Sequence, residues 1–449
     1  MKNYQKVYLY KIGRFQKDFE YLFDNINVIN YVVNSNDECL NEKYITLNDY
    51  LKVHDNIIVI CDRFNDNDNY LFNSYGLIYE KDYYWFEDFG ILLNSDYDEL
   101  LKYSNDYLLK KMIYTDSYDD VACQYPFTYA NIEPNGFVHC CCPGYGYNCI
   151  GNVINNSLDK IWSSNAAKIF RLSIINKTYA FCDRSKCPYL KRHVECTESR
   201  FDDLYLTDYP NELYISFDKT CNLKCSSCRI NYYIKNEIQN EIDLACERVL
   251  NESNWLKKAN RLCLAGDGEV FFSPIYQRIL YSDAVKKRNS IEILTNGIFM
   301  TKEKLDKLCN NVPNISIYVS IDAATKEIYS KIRKGGNYEF LIKNLEYLSQ
   351  LRNNNKIKLV ELNFVIQRIN YKEINDFISL LKKFKFDYVN FSSISNWGTY
   401  TDEEFLNLTM INEEGIPNDE LKEELEKINK IDYKYIAKSS FLYNYLNSR

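Results

Sequence analysis

The sequence predicts an α/β protein in which a partial (β/α)6 barrel follows a small cysteine-rich segment and an N-terminal parallel sheet. Three observations carry this expectation. Short apolar runs alternate with helical patterns through the first hundred residues. Eight of the 16 cysteines crowd between Cys123 and Cys196, and repeated strand–helix units begin near Asn211. The domains read as residues 1–115, 116–204, 205–400 and a helical tail over 401–449.

In the first domain Val7–Ile12, Val28–Val33 and Asn56–Cys61 read as strands, and Phe15–Asp24 and Leu47–Val53 as helices. Strands separated by helices argue for a parallel sheet of Rossmann type. The glycine turn after the first strand is nearly erased. Its template positions fall on Lys11, Gly13 and Gln16, so only the middle glycine remains. The missing glycines are those that make the tight turn and let helix and strand pack closely. A scaffold or docking role is therefore expected here ahead of a nucleotide site.

From Asn211 the candidate strands are Leu213–Phe217, Arg261–Leu264, Ile291–Leu294, Ile315–Ser320, Leu359–Ile366 and Tyr388–Phe391, with helices such as Lys302–Cys309, Tyr338–Leu351 and Lys372–Phe384 between them. Six repeats over roughly 190 residues fall short of the ~250 of a closed eight-strand barrel, and functional groups belong at the C-terminal strand ends.

Composition narrows the function. The net charge of -7 gives no basic footprint for nucleic acid. No apolar run approaches the ~18 residues of a membrane span, and the N-terminus has no signal-peptide pattern, so a cytoplasmic protein is expected. In that reducing setting 16 cysteines point to metal or redox chemistry sooner than to disulfides.

Cys221, Cys225 and Cys228 form C-x3-C-x2-C directly after the first barrel strand. Random placement of 16 cysteines gives about 0.02 copies of this spacing. Three thiolates on one loop can hold three irons of a cubane and leave the fourth open to a ligand. A zinc knot is the competing reading. It would want a fourth ligand, and the next cysteine, Cys246, lies well into a predicted helix.

These residues resemble the radical S-adenosylmethionine (SAM) family. The resemblance implies a [4Fe–4S] cluster on Cys221, Cys225 and Cys228 whose free iron chelates SAM. Its reductive cleavage gives a 5′-deoxyadenosyl radical that takes hydrogen from substrate. Further motifs fall in the family's order: Gly266-Asp267-Gly268-Glu269 with Pro274, Thr295-Asn296-Gly297, Ser320-Ile321-Asp322, Ile332-Arg333-Lys334-Gly335, and Asn363–Gln367 with Asn370. By resemblance Gly266, Asp267, Gly268, Glu269, Thr295, Asn296, Ser320 and Asp322 contact SAM. One departure is Ser227, where the family usually has an aromatic residue, which shifts the expected adenine contact to Tyr232 or Tyr233.

The second cysteine cluster resembles the SPASM module. Its landmarks are Asn135-Gly136, Cys141 five residues after that glycine, Gly151-Asn152, Ile161-Trp162, and the closing pair Cys182 and Cys187. The resemblance implies a second [4Fe–4S] cluster on Cys123, Cys141, Cys182 and Cys187, with Cys140, Cys142, Cys149 and Cys196 in reserve. Zinc suits four loosely spaced cysteines too. The module normally follows the barrel, whereas here it precedes it. His139 is expected at the surface, and Cys39, Cys61, Cys246, Cys263 and Cys309 are expected as small core residues.

The resulting expectation is an enzyme acting by hydrogen abstraction on a peptide or on a carbohydrate or other small metabolite. Its electron donor is of flavodoxin or ferredoxin type. A non-catalytic iron–sulfur or zinc scaffold is the alternative.

Overall fold

The structure is a computed structural model. It describes residues 6–10, 27–33, 42–60, 66–79, 81–85, 122–134, 136–143, 149–154, 156–175, 179, 181–182, 187, 189–190, 206–228, 237–264, 268–285, 290–396, 399–412 and 415–447. The chain divides into two compact units, Met1–Pro210 and Asn211–Arg449.

The first unit opens on five parallel strands: β1 (Lys6–Tyr10), β2 (Asn27–Val33), β3 (Tyr44–Thr46), β4 (Ile58–Ile60) and β5 (Tyr83–Trp85), in the order β3-β2-β1-β4-β5. That is the strand order of the doubly wound dinucleotide fold as far as its fifth strand. Helix α1 (Leu47–Val53) starts where Thr46 accepts the amide of Asp49 and stops where His54 turns left-handed at φ 36°. Helix α2 (Asp66–Ser74) buries Phe72 against Tyr10 and Tyr83. The predicted helix Phe15–Asp24 and the degenerate glycine turn lie outside the described residues.

The cysteine-rich segment begins with one helical turn, α3 (Tyr125–Thr128), leading into the antiparallel strands β6 (Tyr129–Ile132), β7 (Phe137–His139) and β8 (Gly151–Asn152). Helices α4 (Leu158–Trp162) and α5 (Asn165–Ile175) follow. The landmarks read from the sequence interlock here. A Cβ on Gly151 would sit 2.9 Å from Ile161, so the Gly-Asn pair packs directly on the Ile-Trp pair. Trp162 in turn donates to the Thr207 carbonyl at 2.7 Å and lies under the Arg171 guanidinium at 4.3 Å.

The second unit holds six parallel strands in sequential order: β9 (Glu212–Ile215), β10 (Arg261–Leu264), β11 (Ser290–Thr295), β12 (Ile315–Ser320), β13 (Leu359–Ile366) and β14 (Tyr388–Ser393). Helices α6 (Glu237–Glu252), α7 (Trp255–Lys258), α8 (Pro274–Leu280), α9 (Lys302–Asn311), α10 (Lys326–Ile332), α11 (Tyr338–Asn353) and α12 (Ile374–Phe384) alternate with them. Leu262, Ile291, Ile293, Ile317, Leu362 and Phe391 fill one face of the sheet. Cys246 and Cys263 are core residues, as expected, and Cys309 is half-buried. Cys39 and Cys61 lie outside the described residues.

The tail folds onto the edge strand. Beyond α13 (Asp402–Leu408) and α14 (Asp419–Glu426), Ile436 bridges Val389 in parallel, and the Ser440 hydroxyl both donates to the Phe391 carbonyl (2.9 Å) and accepts its amide (3.0 Å). Helix α15 (Phe441–Asn447) then buries Leu442 and Leu446. An open edge with unpaired amides is thereby covered.

Candidate functional site

The chain leaves β9 into a loop that carries the three cysteines, and buried polar groups fix both ends of it. Asp218, fully buried, accepts from the amide (2.9 Å) and hydroxyl (2.6 Å) of Thr220 and from the hydroxyl of Ser273, the N-cap of α8. Further on, the amides of Lys224 and Ser226 donate to the carbonyls of Lys334 and Ile332 at 2.8 and 2.9 Å. The Ile332–Gly335 motif is thus a backbone strap for the loop.

The sulfurs meet polar donors. Cys221 Sγ accepts the Leu223 amide at 3.4 Å and Asn296 Nδ2 at 3.9 Å, and Cys225 Sγ accepts Arg333 Nη1 at 3.6 Å. Burial pushes the Cys221 thiol up to about 11. The Leu223 amide pulls it down, while Glu269, Cys225 and Cys228 push it further up. Burial also raises Cys225, against the pull of Arg333. Cys221 and Cys228 are exposed and Cys225 half-buried. Three thiols on one loop, two of them receiving N–H groups that favour thiolate, fit a [4Fe–4S] cluster, where hydrogen bonds to sulfur help set the potential. Among the described residues no three Cys, His, Asp or Glu side chains converge as ligands of one metal ion would.

Around this loop the expected SAM residues are placed unevenly. Gly266 and Asp267 lie outside the described residues, as do Tyr232 and Tyr233. Gly268 passes so close to the loop that a Cβ would lie 2.2 Å from the Asp218 carbonyl oxygen. Glu269 is buried and its carboxylate accepts three hydrogen bonds within the protein. It accepts the Thr295 hydroxyl (2.6 Å) and the amides of Asn296 (2.6 Å) and Phe271 (3.0 Å). Burial raises its carboxyl above the usual range while these three donors hold it down. Glu269 and Thr295 thus tie the second strand end to the third, and Asn296 is turned to Cys221 and to Asn222 Oδ1 (2.9 Å). Ser320 ends β12 half-buried. Asp322, left-handed at φ 63°, accepts the Val365 amide at 2.9 Å and pairs with Arg333 Nη2 at 2.6 Å. Asn370 supports it from below by donating to the carbonyls of Asp322 and Val365, both at 2.9 Å. The linkage from Asp322 through Arg333 to Cys225 carries no sequence signal, because its members lie in separate motifs.

The second face of the sheet carries polar rows. Arg261 makes a two-pronged pair with Glu292 (2.8 Å on each prong) and reaches Glu212 at 2.6 Å. Glu361 stands beside Tyr318 in register. Burial pushes its carboxyl up to about 7, opposed by a hydrogen bond from Asn390 and reinforced by the charge of Glu292. Its folded pKa therefore exceeds its unfolded value, near 4.5. The folded state holds this proton more tightly, so its stabilising contribution is complete below pH 4.5 and is lost as pH rises to 7. Glu361→Gln should flatten that stretch of the stability curve and leave the protein about 3 kcal/mol more stable than the parent above pH 7. Chemical denaturation at pH 4.5 and 7.5 measures it, and parallel curves for the two proteins would refute it.

In the cysteine-rich segment Cys123, Cys182 and Cys187 are buried, Cys141 half-buried and Cys142 exposed, and Cys140 and Cys149 are fully enclosed. Burial raises the Cys141 thiol, and the neighbouring Cys182, Cys123, Cys140 and Cys142 raise it further. Three of the four expected ligands are thus electrostatic neighbours. Cys196 lies outside the described residues. The expectation of a surface His139 is overturned. It is 1% exposed on β7, a strand whose residues are all buried, with Nε2 3.3 Å from Glu133.

A parallel barrel whose first loop carries three cysteines, preceded in the sequence by a second cysteine-rich segment, fits an iron–sulfur protein. More particularly, residues 215–381 match the Radical SAM superfamily and residues 123–188 match SPASM, an iron–sulfur cluster-binding domain. Residues 215–381 thus carry a radical SAM domain, with a SPASM domain ahead of it in the sequence, and these domains bring [4Fe–4S] clusters and SAM as cofactors. It is 28% identical over 146 residues to the antilisterial bacteriocin subtilosin biosynthesis protein AlbA of Bacillus subtilis, covering 32% of each chain. It is 23% identical over 189 residues to GTP 3′,8-cyclase of Lactiplantibacillus plantarum, covering 40% of this chain and 54% of that one. The chain therefore spans about a third and about half of the lengths of these two relatives. Among solved structures, Streptococcus suis SuiB bound to precursor peptide SuiA aligns over 60% of this chain and 62% of that one, at 16% identity and a TM-score of 0.33. No helix among the described residues is long and apolar enough to cross a membrane.

Proposed function

We propose that this protein modifies a peptide by radical chemistry. Cys221, Cys225 and Cys228 hold the SAM-binding cluster, and Cys123, Cys141, Cys182 and Cys187 hold an auxiliary one. The observation that carries this reading is the cysteine loop itself, strapped to Ile332 and Lys334 and offering its sulfurs to Asn296 and Arg333. When bound, the reduced cluster and SAM supply a 5′-deoxyadenosyl radical that takes hydrogen from the substrate.

The chain's own residues prepare the site. Glu269 and Thr295 act as positioning groups that hold Asn296 beside Cys221. Gly266, Asp267 and Gly268 belong to the glycine-rich motif assigned to the SAM amino group, and Ser320 stands at the fourth strand end as the group assigned to its ribose. Asp322 acts through Arg333. Of the four proposed regions, 116–204 and 205–400 carry the clusters, 1–115 serves docking, and 401–449 seals the barrel edge. The SPASM domain and the relative named for bacteriocin biosynthesis favour a peptide over a carbohydrate or other small metabolite. The electron donor is a flavodoxin- or ferredoxin-type protein in the cytoplasm.

Anaerobically reconstituted, dithionite-reduced protein should hold about eight irons per chain and release 5′-deoxyadenosine and methionine from SAM. About four irons would remove the auxiliary cluster. Silence toward SAM at full iron loading would leave the non-catalytic scaffold instead.

A further inference from the structure

The three loop sulfurs do not share one electrostatic environment. Cys221 receives neutral donors, the Leu223 amide and the Asn296 carboxamide. Cys225 receives a full charge from Arg333 Nη1 at 3.6 Å. A guanidinium does not deprotonate in proteins, so this charge is constant across the working pH range.

Arg333 is also held in place. Its own amide closes the end of α10 on the Tyr329 carbonyl at 2.8 Å, and the flanking carbonyls of Ile332 and Lys334 strap the cysteine loop. One short segment therefore fixes the loop backbone and delivers the cation to its middle cysteine. On the other prong, Nη2 meets Asp322 Oδ2 at 2.6 Å, and the two side chains are only 13% and 2% exposed. Asp322 is anchored through the Val365 amide and Asn370. The remaining donor, Nε, is buried with no hydrogen-bond partner among the described residues. A buried guanidinium with one prong on a carboxylate, one on a cysteine sulfur and one donor unused is only partly neutralised. Its residual positive field falls on Cys225.

We propose that Arg333 is a positioning residue that sets the reduction potential of the cluster on Cys221, Cys225 and Cys228, with Asp322 limiting its effect. The inference rests on the cluster assignment above. Adding an electron makes the cluster more negative, so a fixed cation on a ligand sulfur favours the reduced state and raises the potential. Asp322 cancels part of that field, so its removal should raise the potential further.

The test is an EPR-monitored redox titration of the full-length reconstituted protein, following the signal that changes when SAM is added. Arg333→Gln should make the reduced-to-oxidised ratio at a given potential about tenfold smaller, a fall of 59 mV for a one-electron couple. Arg333→Lys, which keeps the charge, should fall less. Asp322→Asn should move the midpoint the opposite way. These signs are not what a merely structural contact would give. Unchanged midpoints in Arg333→Gln and Asp322→Asn at full iron content would overturn the proposal. If Arg333→Gln loses its iron, a fall in Asp322→Asn overturns it and a rise supports it. A parent protein without any SAM-responsive signal would instead defeat the cluster assignment, and this inference with it.

Discussion

Cys225→Ala protein, reconstituted beside the parent, will carry about four fewer irons per chain and release no 5′-deoxyadenosine, a loss of roughly 10⁴-fold or more in SAM cleavage. The size of the effect follows from the site's construction. Cys225 is the half-buried member of the triad, raised by burial and receiving the Arg333 guanidinium, so its removal also takes away one of the two partners of that buried cation and leaves it to Asp322 alone. The loop backbone is held by Lys334, Ile332 and Asp218, none of which depends on the sulfur, so the variant should keep the parent's far-ultraviolet circular dichroism. Iron counting combined with product analysis separates the outcomes. Retention of both the irons and the cleavage would show that the triad is not the SAM-binding site. Loss of all irons would show that the two clusters depend on one another for assembly.

Much of the barrel was legible because its strands are short apolar runs between polar turns. Arg261–Leu264, Ile315–Ser320 and Leu359–Ile366 coincide with their predicted limits. The cysteine triad was legible for a different reason, since its spacing is local and rare. Contacts between motifs were not legible. Glu269 reads as a ligand-facing acid, yet its three donors come from Phe271, Thr295 and Asn296, and only the parallel sheet brings the last two to it. Arg333 and Cys225 are 108 positions apart, a separation at which a single sequence carries no pairing information. His139 misled for a local reason. A histidine beside a cysteine run looks polar and exposed, but it sits on the three-residue strand Phe137–His139, with Val138 paired to both neighbouring strands. The tail's charged helices likewise concealed Ile436, Leu442 and Leu446, whose burial caps β14.

Gly268→Ala should unfold or dislodge the cysteine loop, at about 3 kcal/mol or more, although it adds a single methyl group at a position that reads as an ordinary turn. The added Cβ would lie 2.2 Å from the Asp218 carbonyl oxygen and 2.9 Å from that of Thr220, both backbone atoms of the segment that leads into Cys221. A flexible side chain could move aside, but this backbone cannot without losing other bonds. Asp218 is tied to Thr220, Ser273 and Tyr276, and the Thr220 carbonyl accepts the Glu269 amide at 2.9 Å. Relief of the clash therefore requires either loss of that amide bond or a shift of the loop that carries Cys221. Thermal denaturation of the apoprotein reads the first, and iron retention after reconstitution reads the second. Gly76→Ala is the control, because its added Cβ meets nothing within 4 Å, although its backbone is left-handed at φ 77°. It should cost less stability and leave the iron content unchanged. Equal stability and equal iron in Gly268→Ala and the parent would mean that the β10 turn does not press on the cysteine loop, and that the loop's position is set by Ile332–Lys334 alone.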